Sequence, residues 1–397
     1  MGLSADIPLP FNSAILRWAR ERLAISVAEA ARKSNVSAAK LMQWESGEAL
    51  PTTRQGRILA EAYNRHFLEF FASTPPVLPE VRLVPDFRPF SGHRKTEQDK
   101  VDLEAIQAWA EEMRENALAL IDFIGERPPV LSSNLKFNRS DDVEIASTVI
   151  REVMSFPIYE QISLKSSNAY TLPAIIRRKI EQMGVLVLKK SSITKLGVRG
   201  VCLFADALPT IVFGNEAASA QAFTLMHELG HVLLGQSGIS GAPRFGGGDT
   251  TGGRAIEGWC NRFAAAFLVP ADALAAFTKR PDEPADDFRL DLLSDLSKAF
   301  SISRHAMLIR LVDLGYVKPN FYWTKMRPIF KKEEEEHKSF GRPSYYGKRY
   351  VSSRGEFYTG LVLEAWGRGQ ITAHNAAEFM GIDNLTHLVE IREDFQA

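Results

Sequence analysis

Cysteine is nearly absent from this sequence: 397 residues hold two, Cys202 and Cys260. Two thiols cannot build the disulfide framework of a small secreted domain, and a reducing compartment is the natural expectation. Net charge is absent too, with 48 basic residues against 48 acidic. Any nucleic-acid contact must therefore come from a local basic face rather than from the whole molecule. No run reaches the ~18 consecutive apolar residues of a membrane helix, so no membrane partner is expected. The opening MGLSADIPLPFN has no basic stretch followed by an apolar one. No signal peptide is expected from it, and localisation is cytoplasmic by default. Repeats with a period of ~20–50 residues are missing, which excludes a solenoid. The glycines at 246–248 follow no strand and lack the G-x-G-x-x-G spacing of a dinucleotide loop. What remains is ordinary globular usage, 45% hydrophobic and 24% charged, at a length of two or three domains of ~150 residues.

Apolar spacing divides the chain. Residues 1–72 read as short helices, with Ile15, Leu16, Ala19, Leu23, Leu41 and Trp44 at helical intervals. Residues 73–98 form a proline-rich linker. A long amphipathic helix is expected over 97–126, with Ile106, Trp109, Met113, Ala117, Leu120 and Ile124 as its stripe. Asp141 is the expected N-cap of a helix running through Met154, and 172–183 is another helix closed by Gly184. The period then turns strand-like. Residues 185–188 read as a buried strand, and 200–204 with 210–213 as a hairpin across 206–209. Helices are expected again over 217–234, 256–269, 288–300 and 303–314. The glycine-rich stretch 237–258 reads as a long flexible loop. The charge run 331–336 marks a second boundary, and 331–397 reads as a charged linker with a small helical region. The fold class is thus mainly α with a small β-sheet, an α+β chain with an N-terminal helical bundle, a central domain over 99–330 and a helical C-terminal region.

The sharpest motif is His227-Glu228-Leu229-Gly230-His231. Four residues apart on a helix, two histidines share one face and can converge on a tetrahedral Zn²⁺. Glu228, adjacent to a ligand, sits beside the metal. From there it can take a proton from a water and later pass it to a leaving amine. A catalytic zinc needs a third protein ligand, and Glu257, expected at the start of the next helix, is the candidate. Cys260 could compete as a soft donor but reads as a small core residue. Asn261, one turn after Glu257, could hydrogen-bond the ligand shell from outside. Gly230 permits a close approach on one side of the helix. His305 and Arg310 were weighed as oxyanion stabilisers and read better as structural.

Residues 221–231, Gln-Ala-Phe-Thr-Leu-Met-His-Glu-Leu-Gly-His, and 257–270, Glu-Gly-Trp-Cys-Asn-Arg-Phe-Ala-Ala-Ala-Phe-Leu-Val-Pro, resemble the ImmA/IrrE family of zinc metallopeptidases. The likeness runs over roughly 172–317. It implies a zincin-like, specifically gluzincin-like, central domain. It also implies His227, His231 and Glu257 as zinc ligands and Glu228 as catalytic base. In that family the activity is cleavage of helix-turn-helix repressors, so a protein substrate of that kind is implied here.

Residues 14–64 carry the other signal. A helix at 27–31, a turn at 34–36 and a helix at 37–45 with Ser37 as N-cap have the spacing that places a second helix in a major groove. Exposed Ala38, Ala39, Lys40 and Gln43 would face base edges, and Thr52, Thr53 and Arg54 would lie near phosphates. Over 11–70 there are nine basic and six acidic residues, a modest excess. Trp44-Glu-Ser-Gly47 with Leu50-Pro-Thr resembles the Xre/Cro-repressor-like helix-turn-helix family. That resemblance implies double-stranded operator DNA as a partner and a homodimer reading two half-sites. The residues therefore point to a DNA-binding regulator with a zinc-dependent endopeptidase domain acting in a stress or phage-type response. The alternatives are an antitoxin- or phage-type repressor whose zinc domain senses without cutting, and a protein-interaction scaffold. A substrate strand is expected to pair with an edge strand near 211–213.

Overall fold

The computed structural model describes residues 10–23, 25–63, 65, 67–74, 97–164, 169–240, 252–336 and 346–396. Most of the proline-rich linker, 75–96, and the glycine-rich stretch 241–251 lie outside the described residues. The rest is mainly helical with one small mixed sheet. It falls into two compact units, 10–74 with 97–109, and 110–396.

The first unit is a small helical bundle. Ser13–Arg22, Val27–Lys33, Ala38–Ser46 and Thr53–Tyr63 surround a core of Ile15, Leu16, Ala30, Ala31, Leu41, Trp44, Leu59 and Phe70. Helix starts are set by side chains that take up orphan amide protons. Asn12, Ser26 and Ser37 accept from the backbone N–H groups of Ala14, Glu29 and Lys40.

The second unit holds the sheet. Its strands are β1 (Leu186–Lys189), β2 (Gly200–Leu203), β3 (Thr210–Phe213) and β4 (Gly238–Ser240), in the order β1-β3-β2-β4. β2 and β3 form the expected antiparallel hairpin, with Cys202 opposite Ile211. β1 runs parallel to β3, and β4 pairs antiparallel with β2, Gly200 opposite Ser240. The helices Ala218–Leu233 and Gly252–Leu268 pack on each other and, with Thr171–Gln182 and Arg304–Asp313, enclose a large apolar core.

Three local expectations need correction. Asp142, not Asp141, caps the helix Val143–Val153, accepting from Glu144 N, while Asp141 accepts from Asn138 N. The stretch 237–258 is not loop throughout: 238–240 is β4, and the following helix starts at Gly252, a turn before 256. Glycines lower helix propensity by ~1 kcal/mol each, but packing against Ala218–Leu233 and Val143–Val153 outweighs local preference. The charge run 331–336 is no extended linker, since it continues the helix Arg327–Glu336. Beyond it the C-terminal helices pack on the sheet unit. Arg178 forms a two-pronged ion pair with Glu356 (2.7 and 2.8 Å), and Glu181 accepts from Phe357 N. Ser353 Oγ donates to the Lys189 carbonyl of β1. Among the described residues, no helix is long and apolar enough to cross a membrane.

Candidate functional site

The helix Ala218–Leu233 is buried from Gln221 to Leu233, so its polar groups must find partners inside the protein. His227 and His231 leave one face of it together. Their Nε2 atoms are 3.3 Å apart. Glu257, from the second turn of Gly252–Leu268, reaches the same point. Its Oε1 lies 2.9 Å from His231 Nε2 and its Oε2 3.4 Å from His227 Nε2. These three residues form a group whose ligand atoms all lie within 4.8 Å of one another, and it could hold a metal ion. Two imidazole nitrogens and a carboxylate are a donor set suited to such an ion.

The two helices can bring these side chains together because they cross closely. A Cβ on Gly230 would stand 3.2 Å from Cys260 Sγ and 3.3 Å from its Cα. Cys260 is therefore spent on the crossing rather than on the ligand group. Burial pushes its thiol well above the ordinary range, which keeps it protonated. On the other ring nitrogen of His227, Asn261 Oδ1 lies 3.0 Å from Nδ1. An acceptor there fixes the tautomer with its lone pair on Nε2, facing the group.

Glu228 turns away from the ligands toward β2. It is fully buried, and Ser240 is the one side chain whose hydrogen bonding acts on its carboxyl among the described residues. It fits only because position 200 is glycine, where a Cβ would stand 2.2 Å from its Oε1. Burial pushes its pKa up to about 8, against the pull of His227. Glu257 goes the other way. Burial would raise it, but His227 and His231 hold it down at about 2. Two carboxyl groups that both act on His227 are thus driven to different protonation states by their surroundings, the pattern that separates a proton carrier from a ligand.

One residue at this point was not anticipated. Ser240, at the end of β4, places Oγ 3.2 Å from His227 Nε2 and 3.4 Å from His231 Nε2. No motif marks it, because the register of β4 on β2 brings it in. Arg199, Phe223, Thr224, His227, Glu228, Ser240 and Asn261 line a recess of ≈ 10 Å³ beside the group, about what one water needs. Arg310 and His305 serve elsewhere. Arg310 is wholly buried and paired with Glu144 and Asp313, and His305 stacks on Tyr322 and Phe330.

The expected edge at 211–213 is not an edge. β3 lies between β1 and β2, and both its sides are hydrogen-bonded. All four of its residues are buried, as in an inner strand. β4 borders the sheet next to the ligand group.

In the helical bundle, Val27–Lys33 and Ala38–Ser46 form the two helices of a helix-turn-helix, with Asn35 in the left-handed region (φ 54°) at the turn between them. Leu41 and Trp44 are buried, which turns Ala39, Lys40 and Gln43 out to solvent. Ala38, expected to be exposed, is half-buried and packs on the core, because the first turn leans on the bundle. Thr52 is half-buried at the start of the next helix, exchanging hydrogen bonds with Gln55 as a cap, and Arg54 is exposed. Glu45 went unnoticed in the sequence. It is buried and accepts from Arg20 Nε and Nη2 at 2.7 and 2.8 Å, tying the exposed helix to Ser13–Arg22.

Residues 180–312 match the protein family described as the IrrE N-terminal-like domain, and residues 13–66 match a family described as a helix-turn-helix domain. No curated protein and no solved structure matches the chain. The chain thus carries a helix-turn-helix domain N-terminal to an IrrE N-terminal-like, metallopeptidase-type domain.

Proposed function

We propose that this protein is a DNA-binding regulator whose second unit is a zinc-dependent endopeptidase, cutting a peptide bond in a protein partner. A helix-turn-helix repressor is the substrate to try first. The observation that carries the reading is a fully buried Glu228 carboxyl, outside the ligand group, beside three convergent donors, His227, His231 and Glu257. Two histidines and a glutamate are the donor set of hydrolytic zinc sites. A zinc ion held there would supply Lewis acidity, polarising a substrate carbonyl and acidifying a water.

The side chains supply the rest. Glu228, held neutral by burial while the site lacks a cation, would ionise beside a bound one and then accept a proton from the attacking water and return it to the leaving amine. The recess beside it has room for that water. Asn261 orients His227, and Gly200 admits the Glu228 carboxyl against β2. An extended substrate segment would add as a strand beyond β4, next to Glu228, and not at β3. A sensor that never cuts has no use for a carboxyl kept ready to carry a proton, and the chemistry of Glu228 favours the peptidase.

In the first unit, Ala39, Lys40 and Gln43 would read base edges of operator DNA, with Ala38, Thr52 and Arg54 toward the backbone. Two copies of the chain would read two half-sites. The test is incubation of the purified full chain, loaded with zinc, with candidate repressors. Specific cleavage that stops on chelation and in Glu228→Gln supports the reading. A metal-loaded protein that leaves every candidate intact while binding DNA favours the sensor.

A further inference from the structure

We infer that Ser240 is the fourth donor of the metal centre at rest, closing it with the protein's own hydroxyl where a water would otherwise sit. This rests on the reading of His227, His231 and Glu257 as metal ligands. A tetrahedral zinc with bonds of ~2.0–2.1 Å sets its donors ~3.3–3.4 Å apart. The two Nε2 atoms are 3.3 Å apart. Ser240 Oγ is 3.2 Å from one of them and 3.4 Å from the other. The Glu257 oxygens complete the set at 2.9 and 3.4 Å. Ser240 Oγ therefore keeps the spacing of a further donor from both imidazoles.

The histidines cannot hold Ser240 there by hydrogen bonding once a cation is bound. Each Nε2 then gives its lone pair to the metal and has no proton to donate, so neither can bond the hydroxyl. The hydroxyl proton has another acceptor in the Glu228 carboxyl, to which Ser240 donates, and that leaves an oxygen lone pair facing the two nitrogens for the ion. Ser240 is 2% exposed, which leaves no solvent to receive it in place. Its backbone is held at the same time: the Ser240 carbonyl accepts from Arg199 N at 3.0 Å, and Ser240 stands opposite Gly200 in the register of β4 on β2. Opening the centre is then an exchange of one neutral oxygen ligand for another, the serine hydroxyl leaving as a water enters. Because β4 is also the border strand, a segment pairing along it acts on the strand that carries the closing residue. Substrate docking and opening would be one event, which restrains the peptidase until its partner arrives.

Cobalt(II) reports on this without any need for cleavage. The full chain and its Ser240→Cys and Ser240→Ala variants are loaded with Co²⁺ and followed by absorption. Ser240→Cys is expected to show a sulfur-to-cobalt charge-transfer band in the near ultraviolet that the wild type, with its own two cysteines, lacks. Ser240→Ala is expected to bind azide at the cobalt about tenfold more tightly, as a site that is open about a tenth of the time would when freed. If wild type takes up cobalt and His231→Ala does not, yet the cysteine variant shows no band and azide affinity is unchanged, Ser240 is not a ligand and the proposal falls alone. If wild type and His231→Ala hold cobalt equally, the metal assignment itself is overturned, and this inference with it.

Discussion

The metal centre and the exposed helix of the bundle treat polar side chains in opposite ways. Around the centre, the groups assigned to chemistry lie inside the protein: His227, His231 and Glu228 are all buried. In the bundle the polar groups assigned to recognition, Lys40, Gln43 and Arg54, face solvent, and buried Glu45, paired with half-buried Arg20, is structural. Burial shifts protonation and fixes geometry, which bond-breaking requires. Exposure leaves donors and acceptors free for a partner, which recognition requires. In the second unit, then, the candidate site lies among buried polar groups, beside structural ones such as Arg310. In the first the candidate recognition groups are exposed.

Removing a ligand should break the comparison most severely. His231→Ala is expected to reduce metal content from about one ion per chain to almost none and to abolish cleavage, measured by elemental analysis beside a proteolysis assay. Retained metal would take His231 out of the ligand set.

Glu228→Gln is expected to keep the metal and lose ~10²–10⁴ in cleavage rate. A normal rate in that variant means the buried carboxyl carries no proton.

Within the bundle, Arg20→Ala leaves the Glu45 carboxylate buried without its two-pronged partner. A loss of ~1–3 kcal/mol is expected for a buried carboxylate deprived of a half-buried partner, read by denaturant unfolding. A loss under ~1 kcal/mol would mean the pair behaves like a surface one.

The protonation of Glu228 makes a prediction with a definite sign. Its folded pKa, about 8, lies above its ordinary value of 4.5. Its contribution to stability is therefore present below pH 4.5 and is lost as pH rises through about 8. In chelator-treated protein, wild type should lose stability relative to Glu228→Gln across that window, by a few kcal/mol. Parallel pH profiles for the two proteins would show that the carboxyl is not held neutral.

The smallest effects belong to the exposed helix. Gln43→Ala should cost ~1–3 kcal/mol at one base position. Arg54→Ala should weaken binding to all duplexes alike and flatten the salt dependence by about one unit. Both are measured by titrating operator and random duplexes across a salt series. Unchanged preference in Gln43→Ala would remove it from the reading surface.

Much of this was legible because it depends on local periods. The spacing of His227 and His231 follows from helical geometry, the hairpin from short apolar runs around a proline-bearing turn, and the burial of Leu41 and Trp44 from their three-residue interval. Where the reading failed, a long-range contact had decided. Residues 211–213 are expected at an edge from the hairpin alone, and only the pairing of β1 makes β3 interior. The helix that carries Glu257 begins at Gly252 despite two glycines, because it has a partner to pack on. Glu45 looks like any surface glutamate until Arg20 is seen beside it.

The chain itself determined the two histidines on one helical face, the carboxyl between them, and the turn that separates two short helices. These are relations among residues within a turn or two, where backbone geometry alone sets distance. Tertiary structure decided what those residues meet. The crossing at Gly230 and Cys260 brings Glu257 onto the histidines, the glycine at 200 makes room for Glu228, and the β4 register sets Ser240 against both imidazoles. Such meetings join positions up to 30 residues apart in the chain, and no local period records them, because they arise only when separate elements bury their apolar faces against one another.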